Sequence, residues 1–259
     1  MNRQPRVGGP RSGLPGITID PLTMELAVRR CGDAIEAGDY LSFGMVNAAK
    51  AVAMRRNEPL RLAVSGCDIV LADGQAVVWA STLLGAPLPE RVAGIDLFTE
   101  LLGLGSRCGY RVYFLGARAE VLQAMLAEVA VRYPGLKVAG SRDGYFSEEE
   151  EPAVAGEIRR AGADLLFIGM SSPRKELFQA RWGAATGARV AHGVGGSFDI
   201  LAGATRRAPV WWQRHGLEWL YRAIQEPVRL GRRYLTTNLA FVGLVLAAAA
   251  GLGAGEDRT

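Results

Sequence analysis

From Ile17 onward, short apolar runs rich in β-branched and aromatic residues alternate with longer segments whose apolar positions recur every three or four residues. The spacing predicts strands over 41–46, 68–72, 111–115, 136–139, 164–170 and 188–191. It predicts helices over 24–36, 48–56, 75–84, 96–104 and 119–133, an acidic helix capped by Ser147, and another that carries Lys175, Glu176 and Arg181. Strands that are apolar throughout are buried on both faces, so the expected fold class is α/β: a Rossmann-like, largely parallel sheet covered by helices. After Gly203 the alternation stops and only helical segments remain, with Trp211, Trp212, Trp219 and Tyr221 set among arginines. The pattern divides the chain into a disordered leader over 1–16, an α/β domain over 17–203 and a helical appendage over 204–259. The leader is rich in Arg, Gly and Pro and lacks the apolar stretch of a secretory signal or anchor.

The strand over 68–72 runs into Asp73 and then Gly74, a residue that lets the backbone turn sharply. Open sheets of this class bind ligands at the C-terminal ends of their strands, so Asp73 is a candidate for proton transfer. The competing reading makes Asp73 the cap of the helix over 75–84. Asn47, between a strand and a helix, could cap 48–56, and Asp96 could start the helix through Leu104. Ser171-Ser172-Pro173 reads as a cap with proline in the first helical turn. The cluster Gly193-Val194-Gly195-Gly196 follows a strand, so its amides could cradle a diphosphate. It is no dinucleotide fingerprint, because Phe198 occupies the place of the third glycine and the cluster follows the last strand instead of the first. That argues against a nicotinamide enzyme and against a sugar-nucleotide epimerase.

Composition adds a core and a partner. The chain has 259 residues, 49% of them hydrophobic and 22% charged, which is enough for a sizeable interior. The net charge of +4 is modest, but Arg206, Arg207, Arg214, Arg222, Arg229, Arg232 and Arg233 all fall in the last quarter and point to an anionic partner there. Nucleic acid is not the expected one, since no reading motif and no basic stretch interleaved with stacking aromatics is present. A membrane surface suits the aromatic rings and the arginines better, with a helical pair packing its tryptophans on the α/β domain as an equal alternative for any single aromatic. Residues 234–255 hold no charge, and a shallow or re-entrant anchor is expected there, with a bilayer span as the alternative. Cys31, Cys67 and Cys108 are odd in number and far apart, so they are expected to be reduced. His192 and His215 have no second ligand at metal spacing and read as structural, and no Asp-x-Asp occurs. With no metal expected, diphosphate chemistry here needs arginine in its place.

Together the motifs carry a resemblance. Ala72-Asp73-Gly74, Arg91-Val92-Ala93-Gly94-Ile95-Asp96-Leu97, Phe114-Leu115-Gly116-Ala117 and Gly169-Met170-Ser171-Ser172-Pro173-Arg174-Lys175-Glu176 come first. Gly193-Val194-Gly195-Gly196-Ser197-Phe198-Asp199, Arg206-Arg207-Ala208-Pro209, Gly216-Leu217-Glu218-Trp219-Leu220-Tyr221-Arg222 and Glu226-Pro227 complete the set. In this order, over residues 17–235, the chain resembles the WecG/TagA/CpsF glycosyltransferases, glycosyltransferase family 26. The resemblance implies an inverting, metal-independent transferase without a cofactor, acting in surface polysaccharide biosynthesis. It would move a hexose or N-acetylhexosamine from a UDP-sugar donor to a polyprenyl-diphosphate-sugar acceptor, an undecaprenyl-diphosphate-linked sugar. It implies a peripheral protein on the cytoplasmic face of the bacterial inner membrane, with a homo-oligomer left open.

By the same resemblance Asp73 matches the general base, Asn47 lines its pocket, and Arg91 meets phosphate or sugar. Lys175, Glu176, Gly193, Gly195, Gly196 and Asp199 match substrate-binding positions. Arg206, Arg207, Arg214 and Arg222 match diphosphate-binding positions on an appendage that closes over the site and touches the membrane. Two positions depart from the pattern: Met45 stands where the family often has Thr, and Lys175 where it has Gln. Both bear on the donor sugar, and a neutral hexose is favoured over N-acetylmannosamine or its uronic acid. The alternative reading, from another class, is a non-catalytic nucleotide-binding scaffold of a polysaccharide assembly complex.

Overall fold

A computed structural model describes residues 12–225 and 232–250. Two short strands, β1 (Ser12–Leu14) and β2 (Ile17–Ile19), pair antiparallel. They are followed by α1 (Met24–Ala37), β3 (Leu41–Val46), α2 (Ala48–Arg56), α3 (Glu58–Ser65), β4 (Ile69–Ala72) and α4 (Gln75–Leu83). Next come α5 (Gly94–Cys108), β5 (Arg111–Gly116), α6 (Ala119–Arg132), β6 (Lys137–Arg142), α7 (Glu151–Ala161) and β7 (Leu165–Gly169). The chain continues through α8 (Arg174–Trp182), β8 (Val190–Gly193), α9 (Ser197–Leu201), α10 (Val210–Arg214), α11 (Glu218–Gln225) and α12 (Arg232–Ala249).

Among the described residues the main sheet has six strands in the order β4-β3-β8-β7-β5-β6, every pair parallel. Side chains alternate between the two faces of such a sheet, and the apolar strands feed two layers accordingly. Phe43, Leu71, Phe114 and Phe167 point to α1 and α5, where they meet Cys31, Phe98 and Leu101. Val46, Val70 and Ala72 point the other way, to Val52, Met54, Leu60, Val64 and Val77 of α2, α3 and α4. Further along that face Leu115 and Ile168 pack on Val154, Ile158 and Phe178. Phe98 and Phe167 meet edge to face at 4.7 Å. Fully burying side chains of this size is worth about 1.5–3 kcal/mol each, so the sheet is clamped from both sides. At the C-terminal edge Gly116 (φ 134) lies so close to Gly169 that a Cβ would come within 2.4 Å of its carbonyl carbon. The strand ends there can be built only with glycine.

Several elements differ from the sequence reading. Residues 12–16, expected in the leader, form a strand and turn, while 1–11 lie outside the described residues. The helix α3, capped by the Asn57 side chain on the amide of Leu60 (2.9 Å), carries too short an apolar pattern to stand out in sequence. Ser147 does not cap α7, which begins at Glu151 after a turn; instead the amide of Ser147 donates to Glu150 Oε2 (2.7 Å). Neither Ser171 nor Ser172 caps α8, whose N-cap is Pro173. Asp96 lies within the first turn of α5, which opens at Gly94. The last strand in sequence, β8, sits in the middle of the sheet.

Among the described residues no helix is long and apolar enough to cross a membrane, so the spanning alternative for the tail falls away there. The tail helix α12 instead buries Phe241 and Val245 in the layer formed by α2 and α4.

Candidate active site

Asp73 follows β4 directly and sits half-buried at the C-terminal edge of the sheet. It does not cap its own helix: α4 begins after Gly74 with no side-chain cap. Its Oδ1 instead accepts the amide of Gly94 (2.7 Å), the first residue of α5, and its Oδ2 accepts Asn47 Nδ2 (3.3 Å). The amide end of α5 therefore faces the carboxylate. Asn47 does two jobs, as its Oδ1 also caps α2 through the amide of Lys50 (3.0 Å). That bond fixes which way the amide points and leaves its NH2 toward Asp73. A Cβ on Gly74 would lie 3.1 Å from Asn47 Cβ, so the close approach of the two strand ends needs glycine there.

On one side of Asp73 lies a ring of alternating charge. Arg91 Nη1 donates to Glu218 Oε2 (2.8 Å), and Arg207 reaches both oxygens of Asp96 (2.6 and 2.8 Å). Longer contacts, Arg207 Nη2 to Glu218 Oε1 (3.7 Å) and Arg91 Nη2 to Asp96 Oδ2 (3.9 Å), close the circle. Arg91 and Asp96 belong to the loop and first turn that hold Asp73, whereas Arg207 and Glu218 come from the C-terminal segment. Asp73 acts electrostatically on Arg207.

On the other side lies a buried triad. Glu176 Oε1 accepts from Lys50 Nζ (2.6 Å) and Lys175 Nζ (2.8 Å), with side chains about a tenth exposed or less. Burial opposes the charge on Glu176, but the two ammonium groups overcome it and hold the carboxyl down at about 2. Burial, helped by Lys50, brings Lys175 down to about 8, while Glu176 and Asp73 resist the change. The stem of Lys175 runs under the glycine turn, where a Cβ on Gly193 would lie 3.2 Å from Lys175 Cδ. Val194 and Gly195 both direct their amides to the carbonyl of Ile168, so these two are not presented to a diphosphate. The glycines there make room for lysine.

Behind Asp73, His192 is fully buried, with Nε2 3.0 Å from the carbonyl of Gly94. Burial holds it down at about 4, so the ring is neutral and Nε2–H donates. His192 and Asp73 thus grip the same glycine from opposite sides. Farther along the edge, Asp199 on α9 acts on Arg118 after β5, and Arg118 Nε donates to the hydroxyl of exposed Tyr145 (3.4 Å).

The structure therefore brings Asp73, Asn47, Arg91, Arg207, Lys175, Glu176 and the Gly193–Gly196 turn to one edge. Asp199 lies toward the β5 side, with its Oδ2 3.8 Å from where a Cβ on Gly196 would stand. Arg206 is exposed, and its carbonyl accepts from Gln225 (3.2 Å). The side chains of Arg214 and Arg222 lie outside the described residues, as do Arg229, Glu226 and Pro227. Lys50, Asp96, Glu218 and Tyr145 are the residues that sequence reasoning did not assign to the site. Lys50 carried one readable signal, its place one turn after a pocket asparagine. Among the described residues no three His, Cys, Asp or Glu side chains are grouped to hold a metal ion. A cavity of ≈ 560 Å³ lined by Tyr40, Ser42, Asp68, Gln179 and Arg189 lies at the opposite ends of the strands, away from Asp73.

An acid held between a helix start and an amide, with arginines and lysines on either side, suits proton removal beside a departing anion. Comparison with known proteins gives the family. Residues 13–254 match the glycosyl transferase WecG/TagA/CpsF family. The chain belongs to that family. It is 37% identical over 189 residues to an N-acetylglucosaminyldiphosphoundecaprenol N-acetyl-beta-D-mannosaminyltransferase of Bacillus spizizenii, covering 71% of this chain and 73% of that one. It is 35% identical over 187 residues to the Bacillus subtilis protein of the same name, covering 72% of each. This WecG/TagA/CpsF member is accordingly a glycosyltransferase, and the non-catalytic scaffold reading is set aside.

Proposed function

We propose that the protein is an inverting, metal-independent glycosyltransferase that moves a hexose or N-acetylhexosamine from a UDP-sugar to an undecaprenyl-diphosphate-linked sugar in surface polysaccharide assembly. The observation that carries this is Asp73, oriented by the Gly94 amide and Asn47 at the open edge of the sheet, with Arg207 and Lys175 within electrostatic range. The names of the Bacillus relatives support the lipid-linked acceptor.

In this reading an acceptor hydroxyl gives its proton to the Asp73 carboxylate as its oxygen attacks the anomeric carbon. The bond to UDP breaks on the opposite face, and its electron pair passes to the β-phosphate oxygen. A positioned base contributes on the order of a hundred- to ten-thousandfold. Arg91 and Arg207 are placed for the charge that appears only as UDP departs, which is where fixed cations accelerate a reaction. Tyr145 offers an exposed ring, with Asp199 nearby, for the nucleoside end. A neutral hexose is favoured by resemblance alone, since Met45 is buried in the core and Lys175 is held by Glu176.

A lipid-linked acceptor calls for a peripheral enzyme at the cytoplasmic membrane surface. Exposed Trp79 and Leu83 of α4, Trp211 and Trp219, and Leu239, Val242 and Leu246 of α12 provide apolar anchors. The decisive experiment offers a panel of UDP-sugars with a synthetic lipid-diphosphate-sugar and measures UDP release. Release with one donor, dependent on the lipid acceptor and undiminished by EDTA, is the expected result. Release that needs a divalent ion, or none with any donor, would reject the reading.

A further inference from the structure

The two arginines best placed for the donor's phosphates already hold acids. Arg91 binds Glu218 and Arg207 binds Asp96 with both terminal nitrogens, and the longer contacts make one neutral ring of the four. Carboxylate and phosphate present similar pairs of oxygens to a guanidinium, so either can fill the same fork. We propose that Glu218 and Asp96 are positioning residues that occupy the diphosphate's place while the donor is absent, docking the C-terminal segment on the catalytic edge until phosphate displaces them. The inference deepens the proposed function and rests on it.

Geometry puts the leaving group at the ring. The attacked carbon must come within ~3–3.5 Å of an oxygen poised at Asp73, and the β-phosphate is bonded to that carbon's leaving oxygen. Arg91 and Asp96 of the ring flank Gly94, whose amide holds Asp73, so a donor whose anomeric carbon meets that base carries its phosphates toward the ring. Two carboxylates and a diphosphate cannot share two arginines without like-charge repulsion, so the acids must yield. They are able to, since Asp96 and Glu218 are 36% and 26% exposed and can turn to water. Arg207 Nε is buried without an acceptor among the described residues, and a phosphate oxygen would satisfy it. Because Arg91 and Asp96 flank Gly94, the residue that orients Asp73, a variant that weakens the ring without a phosphate to bridge its arginines also loosens the base.

Glu218→Gln and Asp96→Asn should therefore act in opposite directions on binding and turnover. With a competing charge removed, UDP affinity measured by calorimetry rises roughly three- to tenfold. With docking weakened, amide exchange at Leu217, Leu220 and Tyr221 quickens in the nucleotide-free protein, and turnover falls. Glu218→Asp, which keeps the competing charge, binds UDP within roughly twofold of wild type. A residue of merely structural importance would weaken binding and turnover together. Variants that bind UDP no tighter than wild type overturn this proposal alone. A wild-type protein that binds no UDP overturns the donor reading and this proposal with it.

Discussion

The two charged clusters beside Asp73 solve different problems. Lys50, Lys175 and Glu176 all come from the α/β body, lie beneath the glycine turn, and carry a net positive charge that Asp73 balances. Arg91, Asp96, Arg207 and Glu218 join the body to the C-terminal segment, are more exposed, and sum to zero. A buried pair has no water to fall back on, so removing one member leaves an orphaned charge. A partly exposed ring can exchange its partners. On the reading proposed above, the triad is the rigid wall of the site and the ring its movable one.

The largest effect expected from breaking this contrast is on the triad. Glu176→Gln leaves two lysines facing each other in the interior and should cost about 3–5 kcal/mol of stability, read from urea unfolding. A change below about 1 kcal/mol, the range of exposed pairs, would mean that the triad is no more rigid than the ring.

Asp73→Asn isolates the chemistry from both clusters. Turnover should drop at least roughly a hundredfold while UDP affinity stays within a few-fold, since only the proton acceptor is lost. Undiminished turnover would remove Asp73 as the base.

Acid should sharpen the contrast further. Lys50 and Lys175 hold Glu176 down at about 2 against burial, so its contribution is full above its ordinary value of 4.5 and is lost as pH falls from there toward 2. His192, kept neutral by burial down to about 4, adds a separate loss between 6.5 and 4, where only the unfolded chain takes up the proton. Unfolding of Glu176→Gln followed against pH should keep the second loss and lack the first. A Glu176→Gln curve parallel to wild type below 4.5 would contradict the triad's role.

The smallest effects lie at the C-terminal face. Replacing Leu239, Val242 and Leu246 by Ser should leave the triad intact and weaken sedimentation with anionic vesicles roughly tenfold or more. Vesicle binding that survives the triple change would place the membrane contact elsewhere.

Much of this was legible before folding. The apolar strands, the acid at the end of β4, the asparagine at the end of β3 and the glycines after β8 all announce themselves through local spacing. The fate of Asp73 did not, because the amide it accepts belongs to Gly94 and not to the helix that follows it. The reading of the glycine turn as an amide cradle missed the carbonyl of Ile168, which takes the Val194 and Gly195 amides from a neighbouring strand. Lys50 carries no local sign of its partner, since nothing near it in sequence shows that Glu176 will stand 2.6 Å away.

The sequence alone determined the alternation of strand and helix, the double-faced burial of the sheet, and the edge on which the acid would appear, because each follows from residue type at fixed local periods. Which charges neutralise one another was decided only by the tertiary structure. Lys50 and Glu176 are 126 residues apart, Arg91 and Glu218 are 127 apart, and Coulomb attraction depends on distance through space. Only the folded sheet brings them within reach.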